Sequence, residues 1–327
     1  MNKQYDIILY GASGYAPRYI IPYLENTDLK IALAARNISK ITDSDLPKIE
    51  CSLEEVAEKT EILINCAGPY YETGEMIIKS CIENMTHYLD LCGEVHFMKH
   101  IMNKYHESAA KKKLFIIQGC GFDSVVSDLG TEYLKQAFDS DMEIRNIIEI
   151  KKTVVNTGTW RSLVESLSSY NKEKQMAQSS NKKTKEYFYD NESNGYVTKF
   201  RGTDHYMVST TQRLMKTCNL PVTKFSVFLR IGSVFNLFTY YFYMSMIFCL
   251  SKFKFGKNML LRFYRFFSYN FVKASPSDEL IKKGSFSMKM EGVGSRNGQN
   301  IFKKLCITGP DPAYTTSGIC ISQIRIS

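Results

Sequence analysis

The first residues in the chain that could do chemistry are the glycines of the segment Gly11-Ala-Ser-Gly14-Tyr15. The segment follows an apolar run with the composition of a β-strand, Tyr5–Tyr10, and an apolar helical pattern comes after it. A strand, a glycine-bearing turn and a helix in this order point backbone N–H groups at an anion, and glycine lets a diphosphate approach closely. We therefore predict that Gly11, Ser13, Gly14 and Tyr15 bind a dinucleotide. The alternative is an ordinary strand-to-helix turn.

The residue that follows the second predicted strand, Leu29–Ala35, indicates which dinucleotide is bound. In nucleotide-binding βαβ units this position meets the adenosine ribose, where an acid bonds the 2′-hydroxyl of NAD and an arginine accommodates the 2′-phosphate of NADP. The chain has Arg36 here, with Lys40 nearby and no acid before Asp43. We therefore predict NADP in preference to NAD, with a merely solvated arginine as the structural alternative.

One residue departs from the usual dinucleotide fingerprint. Its third glycine would fall at position 17, which is Pro17 in this chain. Proline fits the first turn of a helix, because its missing N–H has no partner within the helix there. It can also hold the helix away from the strand, so the departure leaves the tightness of binding open.

Further cofactor contacts are expected where the buried strands end, because ligands of doubly wound sheets lie at the carboxyl ends of the strands. The run Glu61–Ala67 is short, apolar and bounded by charge and glycine, which is typical of a buried parallel strand. Asn65, Cys66, Gly68 and Pro69 lie at its end. We expect these four residues to line the nicotinamide ribose.

The candidate catalytic residues also follow predicted strands. Tyr70 or Tyr71 could donate a proton to a reduced carbon or carbonyl, and packing at a pocket edge is the alternative. Asp90 and Glu94 follow the fifth predicted strand, and Asp123 follows the sixth. These carboxylates could orient a substrate or move a proton. Carboxylates at such positions commonly cap helices, so that structural role stays open for each.

The order of elements predicts the fold class. Strands and helices alternate as far as Ile117, which predicts an α/β architecture with a Rossmann-like, doubly wound parallel sheet. We assign residues 1–140 to this NAD(P)-binding domain and residues 141–327 to a second α+β domain with a mostly antiparallel sheet and a hydrophobic helix. Within it, residues 171–195 are polar and lysine-rich, which predicts a mobile loop.

Charge and cysteine content narrow the functional class. The net charge is +9, and residues 1–130 carry 13 basic and 18 acidic side chains, so the basic excess lies wholly in the remainder. A basic second half indicates an anionic surface as partner, and nucleic acid is not predicted. The nine cysteines lack paired metal spacing, so neither a metal site nor a disulfide framework is expected. No signal peptide precedes the first strand, so we do not expect secretion.

The segment 231–273 is the candidate lipid contact. Residues 231–251 contain no charged side chain, and a helix of this length would span about 30 Å. Lysines, arginines and phenylalanines alternate through the rest of the segment, and no acid occurs between positions 252 and 277. This pattern favours a helix in the interface of an anionic membrane, while a spanning helix and a buried core helix remain alternatives.

Together these motifs resemble the saccharopine dehydrogenase-like oxidoreductase family, in the branch related to the mycobacterial trans-acting enoyl reductases. The resemblance covers most of the chain. The matching blocks are Gly11–Tyr15, Asn65–Tyr70, Gly74-Glu75, His87–Asp90, Gly93-Glu94, Gly121–Ser124, Asp128–Gly130, Gly158–Arg161, Gly202–Asp204 and Thr211–Arg213.

The resemblance implies an NAD(P)-binding domain, a lipid-like substrate, and association with membranes or lipid droplets at their cytoplasmic face. It also implies reduction in support of glycolipid biosynthesis, while a homodimer stays open. Residues 38–50 are shorter than in the family, and the chain stops at Ser327 where family members continue, which suggests a C-terminal truncation. We therefore expect a membrane-associated NADP-dependent reductase. The alternative is a catalytically inactive dinucleotide-fold scaffold or sensor on lipid surfaces.

Overall fold

The computed structural model describes residues 3–41, 44–169 and 185–324. The strands are β1 (Tyr5–Tyr10), β2 (Ile31–Ala35), β3 (Lys48–Glu50), β4 (Thr60–Asn65), β5 (His87–Asp90), β6 (Ile116–Ile117), β7 (Met142–Lys151), β8 (Val155–Asn156), β9 (Tyr187–Asp190), β10 (Gly195–Lys199), β11 (Thr223–Gly232), β12 (Val272–Lys273), β13 (Ser285–Arg296) and β14 (Gln299–Pro310). The α-helices are α1 (Ile21–Leu24), α2 (Tyr70–Glu83), α3 (Val95–Lys111), α4 (Phe122–Lys135), α5 (Thr157–Ser169), α6 (Asp204–Thr217), α7 (Val234–Ser251), α8 (Lys254–Arg262), α9 (Tyr264–Phe267), α10 (Asp278–Lys282) and α11 (Ser317–Ser322).

The N-terminal part of the chain forms a six-stranded sheet in the order β3-β2-β1-β4-β5-β6. Every pair in it is parallel, with Ile8 opposite Ala32 on one side and Leu63 on the other. These three residues are fully buried, as expected for central strands covered on both faces. The sheet confirms the predicted Rossmann-like, doubly wound α/β fold.

The helix expected directly after the glycine turn is much shorter than the sequence pattern suggests. Ala16–Tyr19 forms a single 3-10 turn with Pro17 in its first positions, and α1 that follows has only four residues. The C-terminal residues compensate for the lost helix. Ile321 of α11 joins Ile20 and other buried residues in the cluster that covers β1 and β2. A tertiary contact thus replaces apolar surface that a longer local helix would supply.

The second sheet has six strands in the order β14-β13-β7-β11-β10-β9. Only the β7–β11 pair is parallel, so the sheet is mostly antiparallel, as predicted. Helices α4 and α6 pack on it through a core that includes Phe122, Ile148, Val208 and Met288. The prediction of a loop over 171–195 is wrong in part, because β9 lies inside it and pairs antiparallel with β10. Positions 171–184 of that loop lie outside the described residues.

Helix α7 comprises most of the uncharged segment noted in the sequence. By length and composition this helix, in the described ranges, could cross a membrane, and only 17% of it is buried in the protein. Leu237, Ile247 and Ser251 are its buried residues. The core-helix alternative therefore does not describe most of its surface.

Contacts between Cα atoms divide the chain into two compact units. The first comprises Met1–Gly121, Gly158–Ser166 and Ala313–Ser327, and the second comprises Phe122–Thr157 and Leu167–Pro312. The proposed domain boundary after residue 140 stays a prediction. The first unit is discontinuous in sequence because the beginning of α5 and the C-terminal residues both pack with the N-terminal sheet.

We expect Gly11→Ala to lower the free energy of unfolding by about 3 kcal/mol, because two costs combine. Gly11 has a φ of +79°, and a Cβ there would lie 2.8 Å from the Ala67 backbone nitrogen. Urea unfolding measures the change. Gly93→Ala is the matched control, since nothing lies within 4 Å of its added Cβ and its φ is not positive. Equal stability of the two variants would contradict this account of the turn.

Candidate functional site

The glycine turn lies at the carboxyl end of β1, between the ends of β2 and β4. Gly11 and Ala12 both donate backbone hydrogen bonds to the carbonyl of Ala34, at 2.9 and 3.1 Å. The amide of Gly14 donates to the carbonyl of Gly11 at 2.9 Å, which closes the turn on itself. Three amides of the predicted phosphate cradle are therefore already used by the protein.

The tip of the turn remains accessible to a ligand. Ser13 and Gly14 are exposed, and in the described structure neither the amide nor the hydroxyl of Ser13 makes a hydrogen bond. Pro17 is buried on the protein side of the turn, with its Cδ 3.5 Å from the place of a Gly14 Cβ. Tyr15 is half-buried, and its ring packs edge-on against Tyr314 at 4.6 Å. The proline thus supports the turn from beneath and leaves the side that faces solvent open.

Arg36 follows β2 directly and is exposed. Its charge lies close enough to Tyr10 to lower the pKa of that buried phenol, although burial has the larger effect and raises it. Tyr10 ends β1, so Arg36 lies beside the glycine turn at the same edge of the sheet. Asn37 caps the next 3-10 turn by accepting from the Ser39 amide at 3.0 Å. An exposed guanidinium at this strand end suits a phosphate, since Arg presents a planar fork of donors.

The four residues predicted at the end of β4 take different roles. Asn65 is buried and structural, with its Oδ1 accepting from the Ala67 amide at 2.9 Å. The amide of Cys66 donates to the carbonyl of Tyr10, and burial raises the pKa of its thiol. Gly68 is exposed and Pro69 half-buried, and they form the loop that leads into α2. Of the four residues, Gly68 is the most exposed, while Cys66 and Pro69 are partly exposed and Asn65 is buried.

The two candidate tyrosines differ in accessibility. Tyr70 is buried, and its hydroxyl donates to the Asn65 carbonyl and accepts from the Leu91 amide, both at 3.3 Å. Tyr71 is about half exposed, and its hydroxyl donates to Glu72 at 3.1 Å. Partial desolvation raises the pKa of Tyr71 to about 12, so it keeps its proton at neutral pH. Tyr71 is thus the one of the pair whose hydroxyl a substrate can reach.

Asp90 is fully buried at the end of β5, in a hydrogen-bonded chain that ties three strand ends together. One carboxyl oxygen accepts from the amides of Cys92 and Gly119, at 2.9 and 2.8 Å. The other accepts from the Tyr88 hydroxyl at 2.8 Å, and that hydroxyl in turn accepts from Asn65 Nδ2 at 3.0 Å. Burial raises the pKa of Asp90 to about 6 despite these donors. Both oxygens of the Asp90 carboxyl are thus engaged by groups of the protein.

Glu94 caps a helix other than the one it precedes. It is the N-cap residue of α3 without a side-chain bond there, and its carboxylate accepts instead from the amides of Tyr70 and Tyr71 at the start of α2. The Ser162 hydroxyl donates to the same carboxylate at 3.2 Å. An anion at a helix N-terminus is favourable, so Glu94 fixes the loop that carries Tyr71.

Asp123 lies in the first turn of α4, within the second unit. Its carbonyl accepts from the Thr203 hydroxyl at 3.2 Å, and Asp204 follows Thr203 directly in α6. Burial raises the pKa of both carboxyls, and the charge of Asp123 raises that of Asp204 further. Ser127 donates to Asp204, which stabilises the pair. Within the described residues no group of acids, histidines and cysteines could hold a metal ion.

Sequence reasoning missed Tyr88, Ser162 and the true role of Glu94. Tyr88 carried a weak signal, since it is a polar-tipped residue at an inward position of a four-residue strand. The contacts of Glu94 and Ser162 join residues that are 68 positions apart in sequence, and no local pattern reveals such a pairing.

Comparison with known proteins shows which proteins this chain is similar to. Residues 7–117 match the model of the saccharopine dehydrogenase NADP binding domain. The chain resembles yeast saccharopine dehydrogenase (L-Glu forming) in structure, with a TM-score of 0.53 at 11% identity, over 97% of this chain and 88% of that one. This likeness supports the fold. The match to the domain model confirms NADP as the predicted cofactor.

The sequence relatives are more specific. The chain is 26% identical to a saccharopine dehydrogenase-like oxidoreductase from Rattus norvegicus, over all of this chain and 89% of the relative. It is 25% identical to a lipid droplet localized protein from Caenorhabditis elegans, over 99% and 89%. A Mycobacterium tuberculosis protein named as a trans-acting enoyl reductase is 30% identical over 51% of this chain and 45% of its own. These matches confirm the predicted resemblance: the chain is a relative of the saccharopine dehydrogenase-like oxidoreductases, with an NADP-binding domain near its N-terminus.

The raised pKa of Asp90 predicts a pH-dependent contribution to stability. The native carboxyl holds its proton up to about pH 6, while the unfolded one releases it near 3.8, so acid favours the folded state. We expect the unfolding free energy of the wild type, relative to Asp90→Asn, to fall by about 1.4 kcal/mol between pH 5 and pH 8. Chemical unfolding of both proteins across this range measures the difference. A stability of the wild type relative to Asp90→Asn that rises with pH would contradict the raised pKa of Asp90.

Proposed function

We propose that this protein is an NADP-dependent reductase that acts on a lipid-like substrate at the surface of a membrane or lipid droplet. The glycine turn with its exposed Ser13 tip, beside the exposed Arg36, is the observation that carries the proposal. The match of residues 7–117 to an NADP binding domain supports it. Reduction of a lipid for glycolipid biosynthesis is the biological setting that the resemblance to enoyl reductases suggests.

The residues present fit the cofactor in three places. The amide and hydroxyl of Ser13 are the exposed donors for the diphosphate, and Gly14 leaves room above the turn. Arg36 would bind the ribose 2′-phosphate. The loop of Gly68 and Pro69 would lie along the nicotinamide side. When bound, NADPH supplies a hydride, and the protein must position its acceptor and provide a proton.

We assign the proton donor to Tyr71 and positioning roles to Tyr70 and Asp90. The hydroxyl of Tyr71 is exposed and protonated at neutral pH, whereas that of Tyr70 is buried between two backbone groups. Asp90 accepts three hydrogen bonds and has no free face. Glu94 keeps Tyr71 in place, because its carboxylate accepts a hydrogen bond from the Tyr71 backbone amide at 3.0 Å.

Association with a lipid surface is supported by two independent observations. A relative from Caenorhabditis elegans that aligns along 99% of this chain carries the name lipid droplet localized protein. Helix α7 leaves most of its apolar surface exposed, and large exposed apolar patches mark interaction sites. A lipid surface at the cytoplasmic side would both hold the protein and supply its substrate.

We expect Arg36→Ala to weaken NADPH binding about 10- to 100-fold and to leave NADH binding unchanged. The reason is the loss of a charge-assisted hydrogen bond that only the 2′-phosphate can accept, about 1.5–3 kcal/mol. Titration of NADPH fluorescence with the full chain measures both affinities.

Lys30→Ala is the matched control for Arg36→Ala. It removes one exposed positive charge at the opposite end of the same strand, where no cofactor group should reach. NADPH binding that weakens equally in both variants would show only a general charge effect. Absence of binding of either nucleotide to the wild type would leave the scaffold alternative.

We expect Tyr71→Phe to reduce the rate of NADPH oxidation with an enoyl lipid in detergent micelles about 100-fold, within the usual range for general acids. NADPH affinity should stay unchanged, because the hydroxyl has no role in cofactor binding here. Tyr133→Phe is the control, as an exposed tyrosine on the second unit. Full activity of Tyr71→Phe would place the proton donor elsewhere.

A further inference from the structure

Helix α7 presents a single stripe of phenylalanines to solvent. Phe235, Phe238 and Phe242 are 74%, 73% and 60% exposed, and their spacing of three and four places them on one face of the helix. The opposite face is occupied, since Leu237 and Ile247 are buried and Tyr241 shares a 2.7 Å hydrogen bond with Thr198 of β10. The helix therefore has one protein-facing side and one side without cover.

The segment after α7 lies against this helix, since the rings of Tyr243 on α7 and Tyr269 are 6.5 Å apart. Large apolar side chains on and around α8 and α9 are also exposed. They are Phe253, Phe255, Phe263, Phe266, Tyr269 and Phe271. Together with the three phenylalanines of α7 they form what we call the aromatic surface. Clusters of exposed large apolar side chains of this kind mark interaction sites.

The aromatic surface is held by fixed contacts within the second unit. Helices α7 and α8 pack so closely that a Cβ on Gly256 would lie 2.2 Å from the Leu250 carbonyl oxygen. The Lys252 ammonium donates to the carbonyls of Leu167 and Ser168 at the end of α5, at 2.7 and 3.2 Å. The exposed rings are thus displayed by an anchored structure.

Unpaired cations accompany the exposed rings. Lys254, Arg262 and Arg265 are exposed, and within the described chain no carboxylate lies at ion-pair distance from them. The sequence has no acid between positions 252 and 277 that could neutralise them. Arg262 and Arg265 lie over the neighbouring rings of Phe263 and Tyr264, at 5.7 and 6.0 Å. Aromatic rings and cations at the same surface match the headgroup region of an anionic membrane.

A spanning orientation of α7 does not fit these contacts. A helix that crosses a bilayer alone is surrounded by lipid, whereas α7 packs against β10 and β11, with Tyr241 hydrogen-bonded to Thr198 of β10 and Leu237 and Ile247 buried. Crossing would also carry the charged strand ends of that sheet, such as Arg230, into hydrocarbon. The helix can instead lie parallel to the surface with its phenylalanine stripe inserted.

We infer that the aromatic surface binds anionic phospholipids selectively, with α7 lying in the plane of the membrane interface. The inference rests on the proposed lipid-surface function and deepens it by naming the lipid class and the residues that select it. The phenylalanines provide insertion into any lipid surface. Lys254, Arg262 and Arg265 provide the preference for negative headgroups, about 100-fold in partition coefficient for the three together at low salt.

Vesicle flotation of the full chain tests the inference, with phosphatidylcholine vesicles that contain or lack phosphatidylserine. The charge variant combines Lys254→Gln, Arg262→Gln and Arg265→Gln, and the insertion variant combines Phe235→Ser, Phe238→Ser and Phe242→Ser. A control variant combines Lys216→Gln, Lys282→Gln and Lys283→Gln, which removes three exposed positive charges elsewhere in the second unit. Circular dichroism and urea unfolding of each variant establish that it is folded.

We expect the wild type and the control variant to prefer the vesicles with phosphatidylserine, and raised salt to weaken that preference. The charge variant should bind both vesicle types equally and weakly, and the insertion variant should bind neither. Alkaline carbonate should release the bound wild type. Equal flotation with both vesicle types, or resistance to carbonate, would overturn the inference and leave the proposed lipid surface intact. Failure of the wild type to float with either type would overturn both.

Discussion

The candidate cofactor site depends on the close approach of two backbone segments at Gly11. The residue after β1 must pass so near the end of β4 that a Cβ would lie 2.8 Å from the Ala67 nitrogen, and it must adopt a φ of +79°. Both conditions require glycine. Because this approach is possible, the turn fits between the ends of β2 and β4, so that its tip, Arg36 and the Gly68 loop lie at the same edge of the sheet.

Buried polar bonds then make this edge rigid. The chain from Asn65 through Tyr88 to Asp90 joins the ends of β4 and β5 through fully buried side chains, and the Gly119 amide after β6 donates to Asp90. The Glu94 carboxylate likewise fixes the start of α2 by accepting hydrogen bonds from the amides of Tyr70 and Tyr71. Unpaired, these groups would each be costly in the interior, whereas as a satisfied network they specify one arrangement. A site that must hold a cofactor and a substrate carbon in register benefits from this rigidity.

Much of this could be predicted from sequence because the signals are local. Buried parallel strands are short apolar runs, and their order with helices gave the doubly wound fold, the glycine turn and the position of Arg36. The length of the first helix could not be predicted, because Pro17 and a packing partner more than 290 positions away in α11 decide it together. Likewise β9 was hidden in a polar segment, since its strand character comes from pairing with β10. Nor could the sequence show that the contacts of Tyr70 with Leu91 and of Asp90 with Gly119 bury these two candidate residues.

The central claim is that the diphosphate of NADP rests on the exposed tip of the glycine turn. Hydrogen–deuterium exchange of the full chain with and without NADPH tests it most directly, because the claim names the amides that change. We predict slower exchange at the Ser13 amide and at Asn37 beside Arg36, whereas the amides of Ala12 and Gly14 are already protected by their bonds to the carbonyls of Ala34 and Gly11. Saturating NADPH that slows exchange elsewhere while the turn remains unchanged would contradict the account.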